Sequence, residues 1–369
     1  MSQVSTSRLC GTAPRQLARR GDTLSAVVIE SFGTVTAWTS HRADGSPSTA
    51  FVITAGGLAR VPGLSAPSAT LRADAGSDGH YLERAGPATD LTGATDLLLW
   101  IRCDRLADGT ADHPLFLQVK LGSAAMTVDA PANSWLRLVP VIQDGVWQPV
   151  PISLGDLPDG VRGAVTTLRL TCLDAGTGWS ADLDAILAVR PEMLADADAA
   201  LMARLDRRLE LDGNAVPAFL VPLSAAAPPP PAFRISNYDV QPDRATSPAE
   251  GPRTDYTGSG FTIRPPAAVY QIHYAVEALA AERATAATML DFALSELSPT
   301  SLLLGAGRVM TVDWIDAPST AAPPVVAPPA DHPVVHLRVR TAQPGAAAAT
   351  RAIPPFNEIR VGVDSHAAG

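Results

Sequence analysis

Between Tyr270 and Leu297 the hydrophobic period of the chain changes from two residues to nearly four. Ile272, Tyr274 and Val276 alternate with Gln271, His273 and Glu277, which predicts a strand with one apolar and one polar face. Met289, Phe292, Ala293 and Leu297 then fall at i, i+3, i+4 and i+8, with Leu290 and Leu294 beside them. That spacing predicts a helix with a broad apolar stripe. Pro299 marks its stop. A strand feeding a packed helix is an α+β unit, and nothing in it is catalytic.

Before residue 190 the pattern differs. Short apolar runs recur at 26–29, 50–53, 97–101, 115–119, 135–139, 167–171 and 185–189, separated by Gly, Pro, Asp and Asn. Many short strands with turn signals between them predict a sandwich or jelly roll. The helical period returns with Met193, Ala197, Leu201, Leu205 and Leu209, and Asp196 and Asp198 occupy the first turn, where the helix dipole favours acids. Further short strands are expected at 216–221, from Phe233, and at 302–304, 309–312, 334–339 and 357–363. The predicted class is therefore multidomain: an all-β jelly-roll sandwich followed by a small α+β domain. The expected divisions are an N-terminal arm (1–26), the sandwich (27–190), the α+β domain (191–316), and an Ala/Pro-rich linker with terminal strands (317–369).

Composition narrows the function. The 369 residues are 46% hydrophobic and 18% charged, with a net charge of −9. An acidic surface argues against nucleic acid, whose phosphates need basic contacts. Cys10, Cys103 and Cys172 lie far apart, giving neither a disulfide framework nor metal-ligand spacing, so reduced thiols and folding in a cytoplasm are expected. Arg8, Arg15, Arg19 and Arg20 precede no apolar core, so no secretory signal is expected. No apolar run is long enough to predict a membrane span.

No reaction is spelled out. Gly258-Ser259-Gly260 and Gly305-Ala306-Gly307 lack the context of a nucleotide loop. His332 and His336 are four apart, but Pro333 forbids a helix between them, so they form no zinc-binding face. No catalytic residue, cofactor or metal is expected, and the chain reads as a non-enzyme. A sugar site would pair aromatic platforms with polar side chains, and Trp135, Trp147, Trp179, Asp182 and Asp184 are the available pieces. Asp182 and Asp184 share one face of an extended strand, which does not provide the two opposed acids of a glycosidase. In the other reading the tryptophans fill the core, and the aspartates sit in a turn or hold a structural cation.

The order of features supports a resemblance. Phe32 and Trp38 come first, then Asp90-Leu91-Thr92-Gly93, then Trp147, and Asp182-Leu183-Asp184 precedes the last strand. This succession resembles galactose-binding-like domains and the jelly rolls of carbohydrate-binding modules, which implies possible binding of a surface glycan.

Further on, Pro265-Pro266 leads into the segment Tyr270–Ala278, and Glu282-Arg283-Ala284 enters the helix. Residues 192 to 316 resemble the tail-terminator and tail-completion proteins of tailed phages and contractile injection systems. The resemblance implies a homohexameric ring that caps the tail tube and joins it to the head-tail connector, beside tail-tube and sheath proteins. The chain would then be a virion structural protein of the tail or neck, assembled in the host cytoplasm, with the jelly roll as decoration. The alternative is a carbohydrate-binding surface-recognition protein whose C-terminal domain drives oligomerisation. For a ring interface the polar loop holding Asp239, Asp243, Arg244, Arg253, Asp255 and Tyr256 is the candidate, with the terminal strands 334–339 and 357–363 reaching a neighbour. Equally, both segments fold back on their own subunit.

Overall fold

A computed structural model describes residues 26–57, 68–123, 133–243, 253–257, 261–299, 302–305, 308–316 and 333–343. The expected N-terminal arm and the strand at 357–363 lie outside these residues, as does Arg244.

The first half forms β1 (Ala26–Glu30), β2 (Thr39–His41), β3 (Phe51–Ala55), β4 (Ala69–Ala73), β5 (Tyr81–Thr89), β6 (Asp96–Cys103), β7 (Leu117–Ser123), β8 (Ser134–Leu138), β9 (Gln148–Ser153), the one-turn helix α1 (Asp159–Arg162), β10 (Val165–Cys172) and β11 (Trp179–Val189). The second half forms α2 (Met193–Leu205), β12 (Glu210–Leu211), β13 (Asn214–Ala215), β14 (Ala218–Leu220), β15 (Ala232–Pro242), β16 (Arg253–Tyr256), β17 (Phe261–Arg264), β18 (Ala268–Leu279), α3 (Arg283–Glu296), β19 (Leu302–Gly305), β20 (Arg308–Trp314) and β21 (Val334–Gln343).

Two sheets face each other in the first half. One runs β3-β4-β11-β6-β9, with β1 also paired to β11. The other runs β17-β16-β8-β7-β10-β5-β2. Alternate side chains point inward, so Leu97, Leu99 and Ile101 of one sheet meet Leu117, Val119, Leu121, Leu168 and Leu170 of the other in one buried core. This is the jelly-roll sandwich.

The second half packs its helices on a third sheet of order β14-β15-β18-β21-β20-β19. Ile272, Tyr274, Val276 and Ala278 of β18 bury against Ala197, Leu201 and Leu205 of α2 and Met289 and Ala293 of α3. Asp196 opens α2 by accepting the Glu192 backbone N–H at 3.0 Å, which satisfies an otherwise orphaned donor. Tyr274 donates its hydroxyl to Asp198 at 2.8 Å. This is the small α+β part.

Two placements bear on the sequence reading, and the first corrects it. The polar loop contains a hairpin, β16–β17, which joins the sandwich sheet through Tyr256 opposite Leu138 of β8. Its inward charges explain the docking. Arg264 reaches Asp96 of β6 at 2.8 Å and Asp255 at 2.7 Å, with all three side chains buried. The other concerns residues 334–339. Of the two alternatives, they take the fold-back on their own subunit: β21 pairs with β18 from Ala268↔Gln343 to Glu277↔Val334 and with β20 on its other side, inside its own sheet.

Candidate functional site

Polar side chains gather on the outer face of the β2–β17 sheet. Since cross-strand partners share a face, the register gives the arrangement directly. Thr39, Glu83, Arg169, Lys120 and Leu136 form one row across β2, β5, β10, β7 and β8. His41, Tyr81, Thr171, Gln118 and Leu138 form the next row.

Three planar groups stack where the rows meet. The Arg169 guanidinium lies 3.9 Å from the Tyr81 ring centroid. The His41 ring stacks on Tyr81 at 5.0 Å, with 20° between planes. Glu83 accepts from Arg169 Nε at 2.8 Å and pairs with its terminal nitrogen at 2.7 Å. The His41 nitrogens are bonded to the Gly45 carbonyl at 3.0 Å and the Thr39 hydroxyl at 2.9 Å. Each ring is therefore held before any ligand arrives, so little side-chain entropy is lost on binding. A guanidinium stacked and ion-paired in this way has a fixed plane, which Lys could not reproduce. The arrangement offers hydroxyl-bearing ligands paired donors and acceptors beside aromatic edges.

The sugar residues expected from the sequence are dispersed. Trp135 and Trp179 lie between the sheets: Trp179 packs on Phe51 and Phe116 at 5.7 and 4.6 Å, and Trp135 donates Nε1–H to Asp156 at 3.0 Å. Neither is an exposed platform. Trp147 is half-buried on the outer face of the other sheet, where the Arg102 guanidinium stands 5.7 Å from its ring. Arg102 Nε donates to Asp182 at 3.0 Å, and Thr70 donates its hydroxyl to the second Asp182 oxygen at 2.6 Å. The structure thus links Trp147 and Asp182 through Arg102, with the Asp182 oxygens already accepting internal bonds. Asp184 is buried.

The expected interface residues sit in contacts within the chain. Asp239 stands 3.5 Å from His273, and Asp243 is 3.4 Å from Arg340. Asp255 holds Arg264, Tyr256 donates its hydroxyl to the Asp108 carbonyl at 2.7 Å, and Arg253 lies in β16.

A cleft of about 560 Å³ opens at the junction of the halves, walled by Arg162, Arg190, Glu192 and Arg264. Arg162 and Arg264 are already committed there to the Leu154 carbonyl and to Asp96 and Asp255. Among the described residues no group of three or more His, Cys, Asp or Glu is placed to hold a metal ion.

No family model matches the chain, and no curated protein matches it. Solved structures align with about half of it or less. A family 11 carbohydrate-binding module from Clostridium thermocellum, in complex with a β-1,3-1,4-mixed-linked tetrasaccharide, is 10% identical and covers 46% of this chain and 97% of its own, with a TM-score of 0.31. The family 30 module of a cellulosomal cellulase from Clostridium thermocellum is 13% identical over 42% of this chain and 93% of its own, at 0.29. The enzymatically active domain of tailspike protein 4 from bacteriophage CBA120 is 13% identical over 43% of this chain and 20% of its own, at 0.29. Likeness at these scores does not extend to ligands or partners. None of these three is a tail terminator, and the ring-forming role rests on the sequence resemblance of residues 192 to 316 alone.

Proposed function

We propose that this is a carbohydrate-binding protein whose glycan lies on the outer face of the β2–β17 sheet. The observation that carries the reading is the prearranged stack of Arg169, Tyr81 and His41, braced by Glu83 and flanked by Thr171, Gln118 and Lys120. Sugar recognition needs rigid planar groups and convergent donors and acceptors, and this face supplies both. Glu83, held in place by the buried Arg169, is the hydroxyl-binding acid, and Tyr81 and His41 are the aromatic edge.

The test is native gel electrophoresis through soluble mixed-linkage β-glucan, xylan, agarose and alginate. At least one polymer should retard the protein. Arg169→Ala and Tyr81→Ala should each weaken that retardation about tenfold, the scale of one good polar contact (about 1.4 kcal/mol), the first with a lower melting temperature because Arg169 is buried and ion-paired, and Gln118→Ala, at a half-buried position, should weaken it with unchanged melting. Indifference to all four polymers, or wild-type retardation in every one of the variants, would sink the reading.

A further inference from the structure

The hairpin β16–β17 does more than close the edge of the sandwich sheet. The row that begins at His41 and Tyr81 continues past Leu138 to Tyr256 and then Phe261. Seven partners, one from each strand of the sheet, thus lie in one line on the outer face: His41, Tyr81, Thr171, Gln118, Leu138, Tyr256 and Phe261. Both ends of the line are ring pairs, and its middle is hydroxyl, amide and aliphatic. Four inter-strand gaps separate Tyr81 from Tyr256, about 19 Å at the usual strand spacing.

The far ring pair is built, not incidental. Tyr256 and Phe261 stand 6.2 Å apart at 52°. The Tyr256 hydroxyl is tied to the Asp108 carbonyl at 2.7 Å. Its ring also lies so close to Gly109 that a Cβ there would be 2.8 Å away, and Gly109 adopts φ +83°, a left-handed conformation that suits glycine. Behind the rings, Arg264 locks the hairpin to Asp96 and Asp255. Neighbouring Ile263 is 45% exposed, so the apolar side of the hairpin faces outward while its charged side is buried.

Resting on the glycan-binding reading above, we infer that the hairpin supplies a second aromatic subsite, and that the ligand is a linear polysaccharide running across the strands from Tyr81 to Phe261. A single sugar cannot touch both ring pairs. The site therefore belongs to both halves of the chain, and the sandwich alone holds only part of it.

The experiment uses the full chain and the polysaccharide that retards it, cut to a disaccharide and a hexasaccharide, with binding measured by calorimetry. Tyr256→Ala and Phe261→Ala should weaken the hexasaccharide at least tenfold and leave the disaccharide unchanged, whereas Tyr81→Ala weakens both. Phe261→Tyr should keep full affinity. Arg264→Met, which frees the hairpin without touching either ring, should reproduce the loss on the hexasaccharide. Unchanged hexasaccharide affinity in Tyr256→Ala and Phe261→Ala, with binding lost in Tyr81→Ala, overturns the second subsite and leaves the first standing. If no polysaccharide binds the wild-type chain, both fall together.

Discussion

His336 shows how one residue ties packing to pH. It lies on the outer face of the third sheet, edge-on to the Tyr238 ring at 5.8 Å, with His273 5.9 Å from the same ring. Arg338, two residues along the same face, is paired with Asp313 at 3.0 Å, and Arg340 reaches both Asp313 and Asp243. Burial disfavours the imidazolium and holds His336 below its ordinary value of 6.5. The unfolded chain therefore takes up a proton before the folded one does. The stability contributed by the neutral ring is present above pH 6.5 and is lost as pH falls below it. Urea midpoints should drop more steeply between pH 7 and pH 5 for the wild type than for His336→Gln; parallel curves would exclude this role. The residues of the proposed glycan face show the limits of sequence reading at this scale. Tyr81 and Glu83 sit in a strand interrupted by Gly86 and Pro87, which hid it. Arg169 falls in a predicted strand but carries no signal of its own, because its meaning comes from neighbours 86 positions away. The tryptophans were the conspicuous residues, and two of the three are core.

At the scale of elements the periodic segments were legible. The strand and helix expected between Tyr270 and Leu297 are β18 and α3, and the predicted stripe buries Met289 and Ala293. Met289 is fully buried beneath the sheet, so Met289→Ala should cost about 2–5 kcal/mol in chemical denaturation. A cost of a few tenths would mean that α3 does not pack as described. The hairpin was illegible for a physical reason. In the strands β16 and β17 the residues alternate, but with Asp255 and Arg264 facing in and the Tyr256 and Phe261 rings facing out. Periodicity assigns the polar face to solvent, so an inverted strand reads as a polar loop. Only the buried partner Asp96, far back in the chain, makes the inversion stable. A buried charge is tolerated when it is paired and hydrogen-bonded, as Arg264 is with its two carboxylates.

For the whole molecule, the sequence divides at residue 190, whereas hydrogen bonding places residues 253–256 and 261–264 in the sandwich sheet. The sandwich expressed as residues 26–190 would expose β8 as an unpaired edge and leave Asp96 without Arg264. Removing one partner of a buried ion pair typically costs about 3–5 kcal/mol, and open edges invite association. That fragment should therefore melt well below the corresponding transition of the full chain and aggregate on heating. Adding the hairpin residues through a linker should restore both properties. A fragment as stable and as monodisperse as the full chain would show that the hairpin is dispensable for the sandwich.

The same latch sets a clock on synthesis. Asp96 and Arg264 are 168 residues apart, so the first carboxylate is made long before its cation. At about 5–20 residues per second, the ribosome needs about 10–30 s to cover that distance. From the completion of β11 at Val189 until Arg264 arrives, the β-sandwich holds Asp96 without its arginine and β8 as an open strand edge. Slowing synthesis across residues 190 to 264 should therefore lower the soluble yield, because it lengthens the exposed interval that the arrival of the hairpin ends.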